Sequence, residues 1–206
     1  KGYADMARMK INQNDNQKIE QYLQEISKSI KSSSKLINRL LKYSKDETKT
    51  LKIEQVNVNE TIKNLLDMLT HFIANDITIE THLDSDIRNI EGDPGKIEEI
   101  MMNLIINARD ALPEGGKIII QTKNIKKEDL KSVHKKTSLD SDYIKISVED
   151  TGVGMDEEIQ NMIFEPFFTT KKEGEGTGLG LTIVKEFVSQ HNGWIEFDSQ
   201  KGQGTT

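Results

Sequence analysis

The sequence has no cysteine, three prolines, 5% aromatic residues and no apolar run long enough to cross a bilayer. Each shortage closes off a class of answer. Without cysteine there is no disulfide framework, no thiolate metal site and no cysteine nucleophile. The longest uncharged, mostly apolar stretch, Ile100–Ala108, falls far short of the ~20 residues a membrane helix needs. No signal-peptide pattern opens the chain, so a soluble, cytoplasmic portion is expected. Positive charge is also in the minority: 28 basic against 34 acidic residues leave a net charge of -6, which offers no electrostatic footprint for nucleic acid. The 206 residues, 34% of them hydrophobic, have room for one large domain or two modest ones.

Breakers of regular structure are missing from one part of the chain. All three prolines and 13 of the 14 glycines lie at or beyond Gly92, so Tyr3 to Glu91 contains neither. From Asn16 to Lys45 the residues Ile19, Leu23, Ile26, Ile30, Ser33, Ile37, Leu40 and Ser44 step by three and four, which predicts a long helix with one seam. A shorter helical piece, Tyr3 to Ile11, is set off by the polar turn Asn12 to Asp15, whose Asp15 can cap the second helix. Residues 1–48 therefore read as a helical hairpin. Two antiparallel helices cannot enclose a core, so a second copy completing a four-helix bundle is expected, which makes the hairpin a homodimer interface. The alternative is that it packs on its own downstream domain.

Residues 49–206 change period. Ile77, Ile79, Thr81 and Leu83 alternate with polar neighbours, as do Ile144, Ile146 and Val148. Further strands are expected at Ile53 to Val58, Gly116 to Thr122 and Trp194 to Ser199, with helices at Asn59 to Ala74, Lys96 to Leu112 and Gly178 to His191. This predicts an α+β domain whose helices cover one face of a sheet. Ile125 to Asp142 is lysine-rich and aperiodic, the mark of a solvated loop or a disordered excursion.

Four segments carry chemistry. Asn103 and Asn107 lie four positions apart on one face of an otherwise apolar helix, with Asp110 one turn later. Such amides suit a cleft wall, and their oxygens suit a hard cation such as Mg²⁺ that draws its remaining ligands from water and phosphate. Asp150-Thr-Gly152-Val-Gly154-Met155 follows a strand directly, placing a carboxylate beside glycines that let another molecule approach the backbone. Gly174, Gly176, Gly178 and Gly180 alternate into a helix start, where N–H groups and the helix dipole favour phosphate and the glycines suit a mobile lid. Neither the P-loop nor the dinucleotide spacing is present. Ahead of that loop stands Phe164-Glu-Pro-Phe-Phe-Thr-Thr-Lys171, an aromatic segment expected in the core.

Together these segments resemble the sensor histidine kinases of two-component systems. Asn103 to Ala111 resembles their N box, Asp150 to Gly154 the first glycine box, Phe164 to Phe168 the F box, Gly176 to Gly180 the second glycine box and Gly202 to Thr205 the last one. Asp93-Pro94 and Asn107 to Gly116 resemble the subgroup whose kinases often follow PAS sensor modules. The resemblance implies the Bergerat ATP-binding fold, a two-layer α/β sandwich shared with gyrase, MutL and the large heat-shock chaperones. It makes residues 1–48 part of the dimerisation and phosphotransfer hairpin and 49–206 the catalytic domain.

The same resemblance implies ATP and Mg²⁺ as cofactors. Asn107 would hold the metal, with Asn103 beside it. Asp110 would support the metal waters or the ribose side, and Asp150 would recognise the adenine amino group. Gly152, Gly154 and Met155 would shape the base pocket with Ala111, and Thr205 would support the adenine contact. Phe168, Thr169, Lys171 and the run Gly176, Thr177, Gly178, Leu179, Gly180 and Leu181 would close over the phosphates. Many relatives carry lysine where Asp110 stands, leaving Arg109 and Lys171 as candidate cations for the terminal phosphate. Asn103, Asn107 and Lys171 are the expected catalytic residues. The implied partners are a response-regulator receiver domain and an upstream sensor module.

Two departures qualify this. None of His71, His82, His134 and His191 precedes an acidic residue as the family's phosphoacceptor does, so surface roles are expected for all four and the chain reads as lacking its own acceptor. It also reads as stopping before the final strand of the family pattern. A gyrase-like or MutL-like clamp is the rival reading. Asn103 opposes it by standing where those proteins carry a water-activating glutamate. A nucleotide-binding scaffold without kinase activity is the third reading.

Overall fold

The computed structural model describes residues 18–24, 52–69, 73, 76–130, 142–172 and 176–206. The chain forms two compact units, one of residues 1–50 with 169–177, the other of 51–168 with 178–206. In the first, residues 18–24 are helical, with Ile19 half-buried and Leu23, four positions on along the expected seam, 55% exposed. The rest of the expected hairpin, its turn included, lies outside the described residues.

The second unit runs β1 (Glu54–Val56), α1 (Val58–Leu69), β2 (Ile77–Leu83), β3 (Ile90–Gly92), α2 (Pro94–Asp110), β4 (Gly116–Ile125), α3 (Lys127–Leu130), β5 (Tyr143–Asp150), α4 (Glu157–Gln160), α5 (Gly180–Gln190), β6 (Ser199–Gln200) and β7 (Gly204–Thr205). Five strands form a mixed sheet in the order β2-β4-β5-β7-β6, parallel between β2 and β4 and antiparallel elsewhere, while β1 and β3 pair separately. The α+β class expected from the two periods is what forms.

Alternation on β4 decides the layering. Ile118, Ile120 and Thr122 point inward and are buried, while Lys117, Gln121 and Lys123 are exposed. Onto the inner face pack Val58, Ile62 and Leu65 of α1 and Met101, Ile105 and Ala108 of α2. Helix α2 begins where Asp93 accepts the N–H groups of Gly95 (2.9 Å) and Lys96 (3.2 Å), with Pro94 in the first turn, where its missing N–H costs nothing. Between α1 and the sheet sits one buried polar group. Asn59 Nδ2 donates to the Asp84 carbonyl (2.8 Å), Thr122 Oγ1 donates to Asn59 Oδ1 (2.8 Å), and Asp84 N–H donates to Thr122 Oγ1 (3.1 Å).

Several boundaries differ from expectation. The first strand stops at Val56 because the Asn57 side chain accepts the N–H of Glu60 (3.2 Å) and starts α1. Helix α1 runs to Leu69, and of the expected remainder to Ala74 only Ile73 is among the described residues, where it is not helical. Strands β3 and the short α4 were not foreseen; three or four residues cannot display a period. The strand expected at Trp194 to Ser199 joins the ladder only at Ser199, although Asp198 and Thr206 exchange backbone bonds of 3.0 and 2.8 Å. The expected loop from Ile125 begins instead with the last residue of β4 and then α3, with Lys127 N–H donating to Asp142 Oδ1 (3.2 Å). Residues 131–141 lie outside the described ones.

Candidate functional site

Helices α2 and α5 pack antiparallel, and the site lies where α2 ends and α5 begins. A Cβ added at Gly180, the first residue of α5, would sit 3.2 Å from Asn103 Oδ1 and 3.9 Å from Asn107 Nδ2, so both amides face that helix start. No side chain caps α5. The amides behave differently. Asn103 Nδ2 donates to the Glu99 carbonyl one turn back (2.9 Å), so this side chain finds part of its partner set within its own helix. Asn107 is half-buried, and its side chain has no hydrogen-bond partner among the described residues. At the far end of the helix pair, Lys96 Nζ lies 4.0 Å above the Phe187 ring.

The helix end meets the Asp150 loop through the backbone. The Val153 N–H donates to the Ala111 carbonyl (3.0 Å), and a Cβ at Gly152 would collide with that same carbonyl, so only glycine permits the approach. Asp150, at the end of β5, is buried, and its Oδ1 accepts the N–H of Gly152 (2.8 Å). Burial raises its pKa above the ordinary aspartate value, opposed by the backbone N–H groups of Gly152 and Thr205. Gly154 takes φ 58°, a conformation natural to glycine, with its α-carbon turned against the Gln200 and Gly204 carbonyls.

The far wall is the β6-β7 hairpin. Met155 N–H donates to Ser199 Oγ (2.9 Å), Gly202 N–H to the Val153 carbonyl (2.7 Å), and Gln160 Nε2 to the carbonyls of both Met155 (3.0 Å) and Ser199 (2.8 Å). Thr205 stands opposite Asp150 in the ladder. Ser199 and Gln160 were missed by sequence reasoning: a serine in a strand and a glutamine in a one-turn helix carry no local signal.

Of the expected residues, Asn103, Asn107, Ala111, Asp150, Gly152, Gly154, Met155, Gly180 and Thr205 are brought together by these contacts. Arg109 is engaged by its neighbour, with Nε and Nη2 both on Asp110 Oδ1 at 2.9 and 2.6 Å. Leu179 is buried against Ile183, Phe187 and Ile100, and Leu181 is half-buried. Phe168 is half-buried, but Phe167 is 64% exposed with φ 68°, correcting the expectation that the whole aromatic segment is core. Gly178 lies against the Phe167 backbone. Thr169, Lys171, Gly176 and Thr177 belong to the other compact unit, where Lys171 N–H donates to Thr169 Oγ1 (3.2 Å) and Gly176 adjoins both. Of the histidines, His82 is exposed as expected. His191 is half-buried and bonded through both ring nitrogens: its Nε2 accepts the Asp93 N–H (3.2 Å) and its Nδ1 donates to the Phe187 carbonyl (2.8 Å). His71 and His134 lie outside the described residues.

Among the described residues no group of three or more His, Asp or Glu could hold a metal ion. A cation here would take an amide oxygen, water and ligand phosphate, the donor set Mg²⁺ accepts, and the unpartnered Asn107 fits that role.

The profile of the family described as histidine kinase-, DNA gyrase B- and HSP90-like ATPase matches residues 92–206. The chain is similar to sensor kinase CckA of Brucella abortus (strain 2308), 37% identical over 181 residues, covering 88% of this chain but 19% of that protein's length. Full-length ShkA, solved in complex with AMPPNP, superposes with a TM-score of 0.66 at 22% identity, covering 92% of this chain and 36% of that one. Histidine kinase ThkA, solved in complex with response regulator protein TrrA, gives 0.62 at 23% identity, covering 91% and 48%. At these identities the two structures establish the fold alone.

Proposed function

Since the chain belongs to the family of histidine kinase-, DNA gyrase B- and HSP90-like ATPases, we propose that its larger unit binds Mg-ATP and, within a sensor histidine kinase, delivers the γ-phosphoryl group to a histidine for relay to a response-regulator aspartate. The observation that carries this reading is the meeting of three features at one place: the unpartnered Asn107 amide, the uncapped start of α5 and the buried Asp150. The names of CckA and ThkA, and the AMPPNP bound by ShkA, support it.

In this reading Asp150 accepts from the adenine amino group, while Gly152, Gly154, Met155 and Ala111 wall the base. Asn107 holds Mg²⁺ through its amide oxygen, and the ion when bound neutralises phosphate charge. Asn103, turned back on its own helix, is a poor water activator, which favours transfer to a protein acceptor over hydrolysis. Arg109, engaged by Asp110, and Lys171 are the candidate cations for the terminal phosphate. Catalysis then rests on positioning and charge neutralisation. In the same reading the expected hairpin, on whose seam Leu23 is exposed, forms a homodimer, the setting is cytoplasmic, and an upstream sensor module supplies the input.

The test is to incubate this chain with γ-labelled ATP, Mg²⁺ and the full-length protein carrying Asn107→Ala. Acid-labile label is the expected result, either on that chain by transfer between subunits or only on a full-length chain with Asn107 intact by transfer within one. Failure of Mg-ATP to bind in calorimetry overturns the reading.

A further inference from the structure

Ser199 Oγ has three neighbours at hydrogen-bond distance: the Met155 N–H (2.9 Å), the Gly204 carbonyl oxygen (3.1 Å) and Thr205 Oγ1 (2.9 Å). A serine hydroxyl owns one proton and two acceptor positions. The Met155 N–H fills one of the latter. The Gly204 carbonyl can only accept, so it takes the proton. The remaining position is filled only if Thr205 donates. One proton arrangement therefore satisfies all three contacts, and in it Thr205 Oγ1 has lone pairs left but no proton to offer. Gln160 fixes the same residue from its backbone side through the Ser199 carbonyl (2.8 Å).

We infer that Ser199 is a specificity-positioning residue. By drawing the Thr205 proton to itself, it sets the hydroxyl of Thr205, the residue opposite Asp150 in the ladder, as an acceptor, so that the pocket favours a purine with a 6-amino group over a 6-oxo purine. The inference rests on reading this wall as the base pocket. A carboxylate and a hydroxyl without a free proton suit the two N–H groups of an exocyclic amine, whereas a 6-oxo group would meet only lone pairs. Discrimination by an unsatisfied or repelled polar group is a difference between two affinities, built here by removing a donor.

The test compares Mg-ATP with Mg-inosine triphosphate, in which the 6-amino group is replaced by oxo, by calorimetric titration of the whole chain. Wild type prefers ATP. Ser199→Ala releases the Thr205 proton and lowers the ATP-over-inosine preference about tenfold, mainly by strengthening the inosine nucleotide. Ser199→Thr keeps the wild-type preference. Thr205→Val, which deletes the acceptor, also lowers the preference, and adding Ser199→Ala to it lowers it no further. A Ser199→Ala chain that weakens both nucleotides by one factor overturns the inference, as does a Thr205→Val chain with unchanged preference. The latter decides the matter if Ser199→Ala does not fold. A wild type that binds neither nucleotide overturns the ATP reading itself, an outcome distinct from intact ATP binding with an unmoved preference.

Discussion

Asp150 is a carboxylate the fold holds against its own preference. Burial raises its pKa, so the folded chain binds its proton more tightly than the unfolded chain does. Stability from this residue is therefore fully present below the ordinary aspartate range and is lost as pH rises through the raised value. At pH 7 Asp150→Asn should raise the melting temperature of the unliganded protein while weakening ATP binding about tenfold or more, since the amide can turn a donor toward the adenine amine. In thermal melts the stability gain should vanish near pH 3. An Asn variant less stable than wild type at pH 7 contradicts this account. ATP affinity should likewise fall on acidification, starting above the pH at which an ordinary aspartate titrates. At this scale the sequence was legible where chemistry repeats in a motif, as at Asn107, Asp150 and Gly152. Ser199 and His191 were not, because their roles come from partners 44 and 98 positions away.

Among the elements, α2 and α5 do most to place the site, and they are tied together where α2 starts and α5 ends. His191 joins the end of α5 to the start of α2, using Nε2 as acceptor and Nδ1 as donor. His191→Leu leaves the Asp93 N–H without its partner and should cost about 1–3 kcal/mol in denaturant unfolding. The Asn59, Thr122 and Asp84 group plays the same part for α1. Thr122→Val strands both the Asn59 oxygen and the Asp84 N–H, and the expected loss is again about 1–3 kcal/mol, read as a lower urea midpoint at unchanged slope. A loss under a few tenths would mean that water replaces the hydroxyl. Helices and strands longer than about one turn were visible because periods of 3.6 and 2 need several residues to declare themselves. β3 and α4 are below that length, and the Asn57 cap could not be told from the end of a strand.

For the molecule as a whole, the sequence settled the class and the order of the motifs, while the separation of residues 169–177 from the flanking segments was invisible to it. Linear order cannot say which unit a loop joins. The four histidines are followed by Phe72, Leu83, Lys135 and Asn192, and the one best described sits inside a helix-to-helix joint. This chain incubated alone with labelled Mg-ATP should therefore bind nucleotide and acquire no acid-labile label. Label on any of the four histidines, located by mass spectrometry, would refute the proposed division of labour.

The Phe167 N–H donates to the Gly178 carbonyl at 2.9 Å, so the chain leaves and re-enters the larger unit through a single backbone bond. That closure holds the two ends of the intervening segment together. Its entropic cost depends only on the logarithm of the number of residues enclosed, and doubling that number costs about 0.6 kcal/mol. Insertions between Thr170 and Gly176 should thus leave the melting temperature nearly unchanged, as read in thermal melts.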